Sequence, residues 1–142
     1  MHSESSINAL SAPLLKPLDS PRAWRGEDLK VEDWRIPMPA EALAELDAVV
    51  AILRKDPLPV LMLSPADYAL EACRALMARV REHLLGGVGL AVVDRLPLDR
   101  YSPREATAVY WLLGQLLRRL VAQKWDGMMI YDVLDSGKSY GY

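Results

Sequence analysis

The apolar positions fall into three stretches of helical period. From Pro39 onward, Leu43, Leu46, Val49, Val50 and Leu53 recur at steps of three and four. That spacing lines up one face of a helix, with proline suited to its first turn and Asp56-Pro57 ending it. A second helix is predicted from Ser64, a capping residue, with Pro65 in the first turn and Asp67 three after the cap. Ala69, Cys73, Leu76, Val80 and Leu84 share its face, and Gly86-Gly87 stops it. The third start is Ser102-Pro103-Arg104-Glu105, a capping box in which the serine oxygen and the glutamate carboxylate each satisfy an unpaired backbone N–H. Ala106, Val109, Tyr110, Leu113 and Leu117 follow as its inward face, and Arg118 and Arg119 suit its negative end.

Between the helices lie shorter apolar runs. Pro57 to Leu63 is broken by prolines and reads as an edge strand. Val88 to Val93 has the length and branching of a buried strand. Asp126-Gly127, flanked by strand-like residues, is a hairpin signal, and Asp135-Ser136-Gly137-Lys138 is a turn. The predicted order is helix, helix, strand, helix, then strands: an α+β chain. Residues 1–36, rich in Ser and Pro at their start, form an extended arm, and residues 37–142 form the domain. Trp24 and Trp34 in the arm cover the domain's own core or dock on a partner, a second copy of the chain among the candidates. A β-run arriving so late has few strands to pair with and an open edge, which natural folds avoid. The sequence therefore reads as a fold still under construction at Tyr140-Gly141-Tyr142.

Composition narrows the function. The 142 residues are 51% hydrophobic and 25% charged, enough to bury a core, and the formal net charge is -2. That balance offers neither nucleic acid nor an anionic membrane an electrostatic footprint. No apolar run nears the roughly 18 residues that span a bilayer, and no basic, then apolar, leader opens the chain. These features point to a cytoplasmic protein. Cys73, the single cysteine, has no internal disulfide partner and sits on an apolar helix face, where a thiol is inert packing. Gly86-Gly87-Val88-Gly89 precedes a strand instead of following one, the wrong order for a dinucleotide site. Asp126, Asp132 and Asp135 are close in sequence, but Asp126 and Asp135 fall in turns, where aspartate serves local hydrogen bonds. His83 lies near a helix C-terminus, where the dipole favours a cation. His2-Ser3-Glu4 matches a bare His-x-Glu pattern with no second histidine near it.

Two stretches carry a family resemblance. One runs from Gly89-Leu90-Ala91-Val92-Val93 through Leu96-Pro97 and Ser102-Pro103-Arg104-Glu105 to Leu113-Gly114. The other runs from Val121-Ala122-Gln123-Lys124-Trp125-Asp126-Gly127 through Tyr131-Asp132-Val133 to Tyr140-Gly141-Tyr142. Their order resembles the N-terminal part of the TauD/TfdA-like Fe(II)/2-oxoglutarate-dependent oxygenases, and the Trp24–Trp34 stretch is similar to the arm of one branch. The chain departs from the family after Leu113-Gly114, where Arg118 and Leu120 stand in places the family often gives to Gly and Pro.

The resemblance implies the helices and first strands of a double-stranded β-helix, or jelly-roll. It also implies Fe(II) held by a His-x-Asp/Glu pair and a distant His, 2-oxoglutarate as cosubstrate, and hydroxylation of a small organic substrate. The family pattern of ligands is not found in this sequence, so no catalytic or metal-binding residue is assigned and the chain alone is expected to be inactive and to hold neither cofactor. By the same resemblance Gln123, Tyr131 and Tyr140 border the barrel mouth and are the candidate substrate contacts. The alternative reading is a non-catalytic binding or interaction module of α+β type.

Overall fold

A computed structural model describes residues 19–122, 124–131, 133, 135 and 137. Among them are three α-helices, α1 (Ala40–Lys55), α2 (Glu71–Leu85) and α3 (Pro103–Leu117), and a two-stranded sheet of β1 (Arg35–Ile36) and β2 (Val92–Val93). This is a mixed architecture of helices with few strands. No helix among the described residues is long and apolar enough to cross a membrane.

The first helix follows its sequence signals. Pro39 is extended, at φ -65 and ψ 141, and its carbonyl accepts the Leu43 N–H at 3.0 Å. Ala42, Leu46, Val49, Val50 and Leu53 are its buried residues, while Leu43 is only half-buried. At the other end the Asp56 N–H reaches back to the Ile52 carbonyl at 2.9 Å, and Pro57 prevents another turn.

The predicted edge strand over Pro57 to Leu63 is not one. Pro57 and Pro59 fix φ, and Val60–Met62 closes into a 3₁₀ turn, with the Leu63 N–H on the Val60 carbonyl at 3.1 Å. The second helix also starts later than expected. Ser64 does cap, accepting the Ala66 N–H, but only the short 3₁₀ turn Pro65–Asp67. Tyr68 is extended and Ala69 is exposed. The helix proper begins at Glu71 after Leu70, which has no side chain able to cap it. The cap comes from α1. The Glu45 carboxylate accepts the N–H groups of Ala72 and Cys73, both at 2.9 Å. Two of the orphan donors of α2 are thereby satisfied by another helix. Downstream, Gly86 and Gly87 both turn back onto the Glu82 carbonyl and end the helix as the sequence predicts.

The Val88 to Val93 run is a strand only at Val92–Val93, and it is not deeply buried: Val92 is exposed and Val93 half-buried. Gly89, at φ +81, breaks the extended conformation before it. Its partner is β1, parallel, in the register Arg35 to Val92 and Ile36 to Val93. The Arg35 Nε to Asp94 Oδ1 contact at 2.7 Å closes the end of the pair. The tail of the predicted arm thus belongs to the core, because Ile36 is fully buried.

The capping box of α3 forms as expected. Ser102 Oγ accepts the Glu105 N–H at 3.3 Å, and Glu105 accepts the Ser102 N–H at 2.8 Å. The inward face, however, is rotated from the predicted one. Ala108, Val109, Trp111 and Leu112 are buried, whereas Tyr110 is 65% exposed and Ala106, Leu113 and Leu117 are half-buried. Trp111 can turn inward because its indole N–H has a partner, the Leu63 carbonyl at 3.2 Å, shared with the Gln115 amide at 2.9 Å. The three helices pack mutually around Leu46, Leu76 and Leu112, and each such fully buried side chain contributes about 1.5–3 kcal/mol.

Candidate functional site

Turning Trp111 and Leu112 inward leaves the other apolar flank of α3 facing outward. Three hollows lie along it among the described residues, one of about 390 Å³ beside Ala106, Thr107 and Tyr110 and two others. One of these two, of about 310 Å³, is lined by Tyr110, Trp111, Gly114, Leu120, Val121, Met129, Ile130, Tyr131 and Val133. The other, of about 450 Å³, lies on the β2 side, between α3, the end of β2 and α2. Met38, Leu76, Met77, Val93, Leu96, Leu98, Leu113 and Leu117 form its apolar walls, and Asp94, Arg95 and Tyr110 also border it.

Of the three candidate substrate contacts, Tyr131 is described; Gln123 and Tyr140 lie outside the described residues. Tyr131 is half-exposed and lines the smallest of these hollows, and the Lys124 ammonium sits 4.9 Å from its ring centroid. That contact is a cation–π pair at the hollow's edge.

The turn aspartates behave as turn residues. Asp126 Oδ1 accepts the Met128 N–H at 3.0 Å, with Gly127 at φ +86 and its N–H on the Lys124 carbonyl. Among the described residues this is a turn with no strand flanking it. Asp135 Oδ1 likewise accepts the Gly137 N–H at 2.8 Å. Asp132 lies outside the described residues, as does His2. His83 Nδ1 is 2.9 Å from the Arg79 carbonyl one turn back on its own helix. Cys73 is fully buried, its Sγ 3.4 Å from the Ala42 carbonyl. Burial, reinforced by the Glu45 carboxylate, pushes its thiol up to about 12. A thiol held protonated is no nucleophile.

The best-connected polar group among the described residues lies where α1 meets the start of α3. Arg54 places Nε and Nη2 on the two carboxylate oxygens of Glu105, at 2.8 and 3.1 Å, and also reaches the Arg100 carbonyl. This fork, followed by the Ser102 N–H, holds the Glu105 carboxyl at about 2. Tyr101 donates to Asp47 Oδ1 at 2.6 Å, and Arg100 approaches the other oxygen at 3.3 Å. Burial first, then the neighbouring Asp47, raises the Tyr101 hydroxyl far above its usual range. Every charge in this network has an opposite partner, so it pins α3 to α1 and leaves no acid or base free for chemistry. Sequence reading missed it because its members come from distant segments.

Trp24 answers to its own chain. Its indole N–H donates to the Val88 carbonyl at 2.8 Å, beside an Arg22 contact to the Leu85 carbonyl. Among the described residues no group of three or more His, Cys, Asp or Glu side chains is arranged to hold a metal ion. These residues therefore do not fit a two-His, one-carboxylate iron centre, and no iron chemistry is assigned to them.

No protein-family model matches the sequence, and no curated protein matches it.

Proposed function

We propose that this chain is the N-terminal helical support of an Fe(II)/2-oxoglutarate-dependent oxygenase of the TauD/TfdA type. In this reading the jelly-roll core and the iron-binding side chains are encoded elsewhere, and the whole protein hydroxylates a small organic substrate. The observation that carries it is the unit from Gly89 to Gly114. The motif order is strand, Leu-Pro, Ser-x-x-Glu and a helix ending in Leu-Gly. In this chain that stretch comprises β2, the Leu96-Pro97 bend, the Ser102–Glu105 capping box and α3, with Leu113-Gly114 inside the helix, which runs on to Leu117. The hollow beside Met129–Val133 supports the same reading. It is an apolar flank next to the segment on which Tyr131 sits, and which a continuing sheet would cover.

In a complete domain the iron and its cosubstrate supply the oxidising chemistry. The contribution of this chain is mechanical: the Arg54–Glu105 fork and the Glu45 cap hold three helices rigid behind the mouth. Tyr131, with Gln123 and Tyr140 on the same segment, reaches toward the substrate. The test is to supply the isolated chain with Fe(II) and 2-oxoglutarate and follow succinate. None is expected, and turnover by this chain alone would overturn the placement of the iron ligands elsewhere.

One observation favours a second reading, a non-catalytic interaction module. Trp125 is fully exposed, and Val121, Tyr131 and Val133, close to it in sequence, are exposed as well, apolar side chains suited to a partner. A well-folded monomer that captures one defined partner through Trp125 favours the module, whereas aggregation of the isolated chain favours the oxygenase support.

A further inference from the structure

The larger hollow beside β2 has a chemistry that neither reading above uses. Its volume, about 450 Å³, falls in the range of small-molecule clefts, roughly 300–1,000 Å³. Its walls are aliphatic and thioether side chains from four separate segments: Met38, the α2 residues Leu76 and Met77, the Val93–Leu98 stretch, and the outer flank of α3. The polar side chains in the lining are Asp94, Arg95 and Tyr110, and they are unequal. Asp94 is already neutralised by Arg35 at 2.7 Å. Arg95 is exposed and, among the described residues, has neither a hydrogen bond nor an ion pair. The Tyr110 hydroxyl is likewise free among the described residues. The hollow therefore presents an apolar trough with a single uncompensated positive charge and one hydroxyl donor at its border.

We infer that this trough binds a small amphiphilic monocarboxylate. Its alkyl chain lies along Met77, Leu96, Leu113 and Leu117, and its carboxylate pairs with Arg95 and Tyr110. Charge complementarity selects the ligand class. A cationic amphiphile would meet Arg95 unfavourably, and a neutral one would leave it unanswered. The guanidinium suits a carboxylate because its fork donates two parallel hydrogen bonds. Burying the chain against the aliphatic walls supplies most of the affinity, and the charge supplies the preference. The inference is independent of the oxygenase reading and stands or falls separately from it.

The probes are decanoate, decanol and decyltrimethylammonium, titrated calorimetrically into the full chain below their aggregation concentrations. Decanoate is expected to bind saturably at one site and to exceed both controls. Arg95→Gln is expected to weaken decanoate about tenfold and decanol hardly at all, the loss of one charge-assisted contact at a partly wet border. Leu98→Glu places a negative charge at the trough, and Leu98 is 58% exposed, so the fold tolerates it. This variant is expected to abolish decanoate binding while leaving the circular dichroism spectrum unchanged. Absence of saturable binding, equal binding of the three probes, or indifference to Arg95→Gln overturns the inference. So does a concentration-dependent dimer that Leu98→Glu dissociates, because the trough then belongs to a second copy of the chain.

Discussion

Replacing Glu45 tests the least local feature of the fold, a helix capped by another helix. Its carboxylate holds two N–H groups in the first turn of α2, where Leu70 offers no side-chain acceptor. A hydrogen bond to a charged group contributes about 1.5–3 kcal/mol, and a helix cap about 1 kcal/mol. Glu45 is half-exposed, so water recovers part of the loss. Glu45→Ala is therefore expected to destabilise the chain by about 2 kcal/mol, a fall in Tm of roughly 5–8 °C. Glu45→Gln keeps one acceptor oxygen without the charge and is expected to lose about half as much.

The pH dependence carries a sign. Desolvation pushes the Glu45 carboxyl up, but the N–H groups of Ala72 and Cys73 outweigh it, and the net shift is downward. A carboxyl depressed in the folded state stabilises fully above its unfolded value, near about 4.3, and loses that contribution as pH falls through the folded value. Urea unfolding of wild type and both variants at pH 7 and at pH 3 reads this directly. The gap between wild type and Glu45→Ala is expected to be full at pH 7 and to narrow in acid. A gap within about 0.5 kcal/mol at pH 7, the level of an ordinary surface substitution, refutes the trans-cap.

Further outcomes follow from the same geometry. Ser102→Ala removes the acceptor for the Glu105 N–H and is expected to cost about 1 kcal/mol by urea unfolding. Leu112→Ala, at a fully buried position between the helices, is expected to cost about 2–5 kcal/mol, with a lowered midpoint and unchanged secondary structure. Tyr101→Phe deletes the 2.6 Å bond to Asp47 and is expected to cost about 1.5 kcal/mol, readable as a Tm shift. Cys73, its thiol pushed up to about 12, is expected to react with a disulfide reagent only after denaturant is added; rapid labelling of the native chain contradicts its burial.

The helix signals that sequence reading caught were local ones. Pro39, Asp56-Pro57, Gly86-Gly87 and the Ser102–Glu105 box act within a turn of where they stand, and each sits at its helix end in the structure. The misreadings arose where a distant partner decides. Ser64 looks like the start of α2, but the helix waits for Glu45 to supply its cap. The Val88–Val93 run looks like a buried strand, yet the pairing of only two residues depends on Arg35–Ile36 in the arm. On α3 the apolar positions encircle more than one face, so periodicity alone could not say that Trp111 and Leu112 turn inward while Tyr110 stays out. Of the three candidate contacts, Tyr131 borders a hollow, and Gln123 and Tyr140 lie outside the described residues. Arg95 could not stand out in the sequence, because its want of a partner among the described residues shows only in the structure.

The most direct measurement for the oxygenase reading is the coding sequence read onward from the codon for Tyr142. The account expects it to continue into a His-x-Asp or His-x-Glu pair within a few tens of codons, with a second His and an Arg further on. A stop codon directly after Tyr142, together with a monomeric, cooperatively folding product, would contradict it.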